Sequence, residues 1–246
     1  MTTATASPTE FAPGLAIQGF TAPLSLSQFK LIAFDMDSTL ISIECIDEIA
    51  DAVGRKSEVA AITEAAMRGE ITDFKDSLRR RLALLKGVTL DDMERVYTER
   101  MKINPGAAEL IAACQKAGMK VLLVSGGFTF FADRVKARLN IDFARSNRLE
   151  VVNGELTGGL VMQSWGDICD GAEKRRTLLE VASLLGIEPH ECIAMGDGAN
   201  DLPMMGVCSD AGGLSVAYHA KPKVREQAMV AIQEGGLDRL LEIVNP

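Results

Sequence analysis

The stretch Lys30-Leu31-Ile32-Ala33-Phe34-Asp35-Met36-Asp37-Ser38-Thr39-Leu40 decides how the chain is read. Leu31 to Phe34 is an unbroken apolar run, the pattern of a strand buried on both faces of a parallel sheet. Asp35 and Asp37 follow where that strand ends, at the edge on which open α/β sheets take their ligands. Two residues apart in extended backbone, their side chains share one side. Converging carboxylates without a basic neighbour repel each other, and a hard cation such as Mg²⁺ between them relieves this. Ser38 and Thr39 add hydroxyl and N–H groups for an anion's oxygens. The competing reading is an ordinary turn, where Asp and Ser are common.

Outward from this strand, residues 44–102 read as helical throughout. Ile46, Ile49, Ala50 and Val53 form one apolar stripe, Val59, Ile62 and Ala66 another, and Leu78, Leu82 and Leu85 a third. The block interrupts a strand–helix alternation that resumes at Pro105. A helix over 106–117 leads into a buried strand, Met119 to Val124, which stops at Ser125-Gly126-Gly127 before a helix over 128–139. Short strands follow from Arg148 to Leu160, with Asn153-Gly154 as a hairpin turn. A helix over 171–185 and a strand over 192–195 lead to Gly196-Asp197-Gly198-Ala199-Asn200-Asp201. Further strands are expected over 214–217 and 229–232, with a last helix over 237–244.

The expected fold is α/β, a doubly wound and mostly parallel Rossmann-like sheet with an inserted helical cap. Residues 1–28, rich in Thr, Ala, Ser and Pro, are expected to be a flexible leader too short for an added regulatory domain. Residues 29–43 and 103–246 form the core, and 44–102 the cap.

Composition narrows the function. At 246 residues, 47% hydrophobic and 24% charged, the chain is ordinary for a soluble globular protein. A net charge of −8 without a basic stripe argues against nucleic acid and anionic membranes as partners. Five cysteines without a C-x-x-C pair, and only two histidines, argue for reduced thiols and against a zinc site. No apolar run has membrane-spanning length, and the first 29 residues lack the Lys or Arg that starts a secretory signal. A cytoplasmic location is expected, and a homodimer is compatible with the sequence.

Three strand ends thus bring polar, glycine-bearing loops to one edge. A carboxylate such as Asp35 can attack phosphorus, splitting a slow hydrolysis into two faster steps. A second acid, Asp37, must protonate the leaving alcohol and later deprotonate water, with its carboxyl turned from any cation. Ser125 and the N–H groups after it make a phosphate cradle at a helix start, or simply an N-cap. Asp197 offers Mg²⁺ another oxygen, while Asn200 and Asp201 can hold phosphate and waters. Lys174, in a helix's first turn, either neutralises a phosphoryl group or is a surface lysine. Arg81 falls on the apolar stripe of its helix, where Arg79 and Arg80 do not. Its guanidinium needs a partner such as a substrate carboxylate, unless the head snorkels outward. Glu44 suits a helix's first turn, yet beside a phosphate it calls for something positive, such as a substrate ammonium.

Phe34 to Leu40, Val124 to Phe128 and Met195 to Asp201 resemble the haloacid dehalogenase-like hydrolases. The likeness extends through Glu44 to Ala50, Glu64 to Met67, Phe74 and Ser77 to Leu85. It continues through Asn147 to Leu149, Leu156 to Gly158 and Gly166 to Ile168, and covers about residues 30 to 245, with Leu160 to Trp165 departing from the pattern. The resemblance implies Asp35 as nucleophile and metal ligand, and Asp37 as general acid/base whose backbone carbonyl binds Mg²⁺. It implies Asp197 as the other metal ligand, and Ser125, Gly126, Lys174 and Asn200 on the phosphate. Glu44 and Arg81 would hold the substrate's amino and carboxylate groups, with Met67 and Phe74 on the cap's apolar wall. The expected reaction is Mg²⁺-dependent hydrolysis of O-phosphoserine through an aspartyl phosphate, the last step of serine synthesis.

Two other readings use the same residues. One is a related phosphatase or phosphotransferase acting on another small phosphomonoester. The other is a phospho-accepting receiver module, which needs neither a helical cap nor a second acid. A nucleotide site is disfavoured, since neither G-x-x-x-x-G-K nor G-x-G-x-x-G occurs.

Overall fold

The computed structural model describes residues 8–68 and 70–245. In chain order the elements begin with β1 (Thr9–Ala12), β2 (Leu15–Ile17), β3 (Leu24–Ser25) and β4 (Leu31–Phe34). The cap helices are α1 (Cys45–Ala52), α2 (Lys56–Met67), α3 (Phe74–Ala83) and α4 (Leu90–Arg95), the last running into a π-helical turn, Val96–Arg100. Then come α5 (Ala107–Lys116), β5 (Lys120–Phe128), α6 (Thr129–Arg138), β6 (Phe143–Asn147), β7 (Leu149–Val152) and β8 (Glu155–Leu160). The chain ends with α7 (Gly171–Leu185), β9 (Cys192–Gly196), α8 (Leu202–Ala211), β10 (Leu214–Tyr218), α9 (Pro222–Arg225), β11 (Val230–Ile232) and β12 (Val244–Asn245).

Eight strands form the main sheet in the order β1-β2-β11-β10-β9-β4-β5-β6. From β11 to β6 every pairing is parallel, while β1 and β2 join antiparallel. Strand order runs β4, β5, β6 one way and β9, β10, β11 the other, so the reversal falls beside β4. A crevice opens at the carboxyl ends of the strands at such a reversal.

The apolar runs are explained by burial on both faces. Ile32, Phe34, Val121, Leu123, Ile193 and Met195 belong to one core, with α5 and α6 packed on it. Leu31, Ala33, Leu122, Val124, Cys192 and Ala194 belong to the other, under α7 and α8. Alternate residues of each strand thus serve opposite layers, as the two-residue period requires.

Capping accounts for several cap boundaries. Asp73 accepts from the Lys75 N–H at 2.9 Å to start α3, and Thr89 with Asp92 forms a capping box on α4. The chain crosses between core and cap twice, and the crossings are laced together. Ile41 bridges antiparallel to Ile103, Ser42 N–H donates to the Lys102 carbonyl, and the Asn104 side chain donates to the Thr39 and Ile41 carbonyls. The hairpin β7–β8 turns at Asn153-Gly154, both at positive φ as a two-residue turn demands. It leans on the cap through hydrogen bonds between Gly87 N–H and Leu156 C=O and between Leu156 N–H and Val88 C=O, each 2.8 Å.

Two expectations need correction. Within the described residues of the supposed leader, Leu15 is fully buried and β2 pairs with β11. The polar composition concealed a short edge ribbon whose few apolar side chains reach the core. At the other end, the helix expected over 237–244 is a 3-10 helix, Leu237–Glu242, followed by β12 paired to β3. Leu237, Leu240, Ile243 and Val244 are all buried, a spacing that mixes helical and extended geometry. Residues 1–7 lie outside the described part.

Leu15→Ala should lower unfolding stability by roughly 2–4 kcal/mol, as truncation of a buried leucine does. Urea denaturation followed by circular dichroism reads this directly. An unchanged midpoint would show that the segment is dispensable to the fold.

Candidate active site

β4 delivers Asp35 to the sheet edge between β9 and β5. Phe34 is in register with Met195 and Leu123, and Asp35 N–H donates to the Met195 carbonyl at 3.0 Å. Beyond Asp35 the chain wraps around the Met36 carbonyl, which accepts from the N–H groups of Thr39, Leu40 and Ile41. Ser38 takes φ of 57°, a left-handed conformation costly for a residue other than glycine. This aims its hydroxyl at the cap, where it donates to Glu44 Oε1 at 2.6 Å. Thr39 is fully buried beneath the loop. The anion-holding role read for both hydroxyls therefore finds Ser38 already engaged and Thr39 enclosed.

Three acids gather at this edge. Oxygens of Asp35, Asp197 and Asp201 lie within 4.8 Å of one another. Between two of them sits the Lys174 ammonium, 2.6 Å from both Asp35 Oδ1 and Asp201 Oδ1, with its side chain wholly buried. Asp170 caps α7 by accepting from Glu173 N–H, which sets Lys174 in the first turn facing the sheet. Burial alone would strip the ammonium of its proton, but Asp201 and Asp35 outweigh it and hold the lysine charged. Asp35 itself is pushed upward, by burial first and by the charge of Asp201 next, against the pull of Lys174. Asp197 is raised to about 7 for the same two reasons. One ammonium does not balance three acids, so an ionised set here calls for more positive charge. The donors are hard oxygens, the set that suits Mg²⁺. Gly196 makes the crowding feasible, since a Cβ there would overlap the Asp201 carboxyl group.

Asp37 turns away from this cluster. Its Oδ2 accepts from Cys45 N–H at 3.0 Å and its Oδ1 from the Cys45 thiol at 3.1 Å, at the start of α1. Burial, then the nearby charge of Glu44, raises this carboxyl to about 7, a range in which it can both give and take a proton. Burial and Asp37 hold the Cys45 thiol well above its ordinary range, so it stays protonated and donates.

β5 carries the third loop, extending past its expected end to Phe128 through an irregularity at residues 125–127. Ser125 is fully buried, and its Oγ accepts from Gly127 N–H at 2.8 Å. Asn147 fixes the loop from below, donating to the Gly126 carbonyl and accepting from Cys169 N–H, both at 2.7 Å.

Over these loops and under the cap lies a cleft of about 970 Å³. Asp35, Asp37, Ser125, Gly126, Asp197 and Asn200 line its floor, and Glu44, Phe74 and Arg81 its cap side. Lys174 is not on the lining and acts from beneath Asp35. Met67 closes α2, but its side chain lies outside the described part. Arg79 and Arg80 pair with Asp167 and Asp76 at the surface. Arg81 by contrast has a buried Nε with no partner among the described residues, and so has Asp47 Oδ1. Both residues line the cleft. Buried polar atoms without partners are costly, and a polar ligand in the cleft would relieve that cost.

Asp47 is not among the residues that the sequence singles out, and Asp201 has only a minor part there. Asp47 stands one helical turn from Glu44, a spacing that could have signalled it. Asp201 was visible in its motif, but its contact with Lys174 was not. Lys221 and Lys223, which also line the cleft, carry no motif.

A family model described as haloacid dehalogenase-like hydrolase matches residues 32–206. The chain is 70% identical over 239 residues to a phosphoserine phosphatase of Albidiferax ferrireducens, covering 97% of this chain and 99% of the relative. An unliganded structure of a probable phosphoserine phosphatase from Vibrio cholerae is similar at a TM-score of 0.78 and 42% identity, over 93% of this chain and 68% of that one. A substrate-bound phosphoserine phosphatase structure gives a TM-score of 0.78 at 37% identity, over 88% of this chain and 99% of that one. With its acid-bearing strand ends, its capped cleft and these relatives, the chain belongs to the haloacid dehalogenase-like hydrolase family.

Proposed function

We propose that this protein is a phosphoserine phosphatase, hydrolysing O-phospho-L-serine to L-serine and phosphate. The observation that carries the reading is the two-ended cleft. Its floor holds the Asp35, Asp37 and Asp197 carboxyl groups, and its cap wall holds Glu44 and Arg81, whose buried Nε has no partner among the described residues. A small phosphomonoester with an ammonium and a carboxylate satisfies both ends at once. The relatives named phosphoserine phosphatase support the same substrate.

In this reading Asp35 attacks phosphorus, and the bond to the serine oxygen breaks as Asp37 gives that oxygen a proton. Asp37 then takes a proton from water as the water oxygen attacks the phosphoryl group on Asp35. Phosphate leaves and Asp35 is regenerated. Ser125, the Gly126 N–H and Asn200 hold phosphoryl oxygens, while Lys174 offsets negative charge beside the nucleophile. Asp35, Asp197 and the Asp37 carbonyl would hold Mg²⁺, which supplies the positive charge that keeps the nucleophile ionised and withdraws charge from phosphorus. Glu44 takes the substrate ammonium and Arg81 its carboxylate. Phe74 packs on the carbon between them, with Met67 proposed beside it. The reaction, placed in the cytoplasm, would complete a route to serine. Among the described residues no helix is long and apolar enough to cross a membrane.

Asp35→Asn should lower phosphate release from phosphoserine by about a thousandfold or more while leaving the circular dichroism spectrum unchanged. Retained turnover would remove the proposed nucleophile. Chelation with EDTA should stop the wild-type reaction and added Mg²⁺ restore it, whereas activity that survives chelation would rule out the metal. Arg81→Ala should raise KM for phosphoserine roughly 10- to 100-fold, the worth of a hydrogen-bonded charge pair. Phosphoethanolamine, which lacks the carboxylate, should be little affected, and an equal loss on both esters would count against the assignment.

A further inference from the structure

Cys45 is the first residue of α1, and its side chain is fully buried. It meets Asp37 with two donors, the backbone N–H on Oδ2 at 3.0 Å and the thiol S–H on Oδ1 at 3.1 Å. The backbone bond alone leaves the carboxyl free to turn about its last rotatable bond. A second donor on the second oxygen fixes that rotation as well. We propose that Cys45 is a positioning residue, its thiol holding the Asp37 carboxyl in the orientation from which a proton reaches the leaving alcohol. The inference rests on the reading of Asp37 as general acid given above.

No bond to sulfur forms or breaks, and the thiol keeps its proton throughout. Glu44, the preceding residue, lines the cleft. One turn of a cap helix therefore presents a group to the substrate and, through its next residue, a brace to the acid. The simpler account is that Cys45 only fills space in the core. The two accounts differ in leaving-group dependence. Serine must be protonated as it departs, whereas p-nitrophenolate is stable without a proton, so a misdirected acid harms the first reaction and spares the second.

The test is single-turnover alcohol release with enzyme in excess and Mg²⁺ present, from phosphoserine and from p-nitrophenyl phosphate. Asp37→Asn should slow serine release about a hundredfold or more and p-nitrophenol release far less. Equal slowing of both by this variant would overturn the assignment of Asp37, and the inference with it. Given that assignment, Cys45→Val, close to cysteine in size but without a donor, should slow serine release on the order of tenfold. It should leave p-nitrophenol release within about twofold, and Cys45→Ser, which keeps a donor, should recover most of the loss. Cys45→Ala provides a second donor-free variant should valine overpack the site. Equal slowing of both substrates, undiminished serine release in the donor-free variants, or a serine variant no better than valine would each overturn the thiol's role while Asp37 stands.

Discussion

A single ammonium group, Lys174 Nζ, makes the rest of the site possible. It is sealed from water and gripped by Asp35 and Asp201 at equal distance. Breaking a buried ion pair by removing one partner typically costs about 3–5 kcal/mol, because the other charge is left unpaired in a poorly solvating interior. The acids and the lysine are therefore one electrostatic object, each charge offsetting the cost of burying the others. It joins β4, the loop after β9 and the first turn of α7, elements distant in sequence.

The sheet explains why this object sits where it does. With β4 central and the strand order reversing beside it, helices on the two sides leave opposite faces and the carboxyl edge lies open. β4 and β9 carry no charged side chain, so the acids gather where these strands stop. Two cores, one on each face, hold the strand ends in register, and the register in turn sets the spacing of the acids. Packing and electrostatics thus act on the same few residues. Phe34 secures one core while its neighbour Asp35 faces the cleft.

Much of this was legible in the chain. Leu31 to Phe34 and Cys192 to Met195 announce buried strands because each is a short apolar run that stops at polar or glycine-bearing loop residues, as a doubly covered strand does. The paired acids after the first, and the glycine-bearing loops after the others, mark the edge. Lys174 was harder, since it stands beside Arg175 and Arg176 and looks like part of a solvated face. Only the path of α7 against β5 and α8 shows that its side chain alone turns inward. Asp47 was missed because an acid in a helix's first turn is ordinary. The N-terminal ribbon was missed because Leu15 and Ala16 are too few to make a pattern, and their partner, β11, lies at the opposite end of the sequence.

The lacing between Ile41–Ser42 and Lys102–Asn104 has a mechanical consequence. A lid joined by two independent strands of chain can twist and translate as well as swing. Once the two strands are bonded to each other they behave as one narrow ribbon, and the hairpin β7–β8 clamps a second point of the cap. Rotation is then confined to a single axis running from ribbon to hairpin. Ile71 and Thr72, which border the cleft on the cap side ahead of α3, would then move with the cap as a body, so that an angular motion changes the width of the opening beside them.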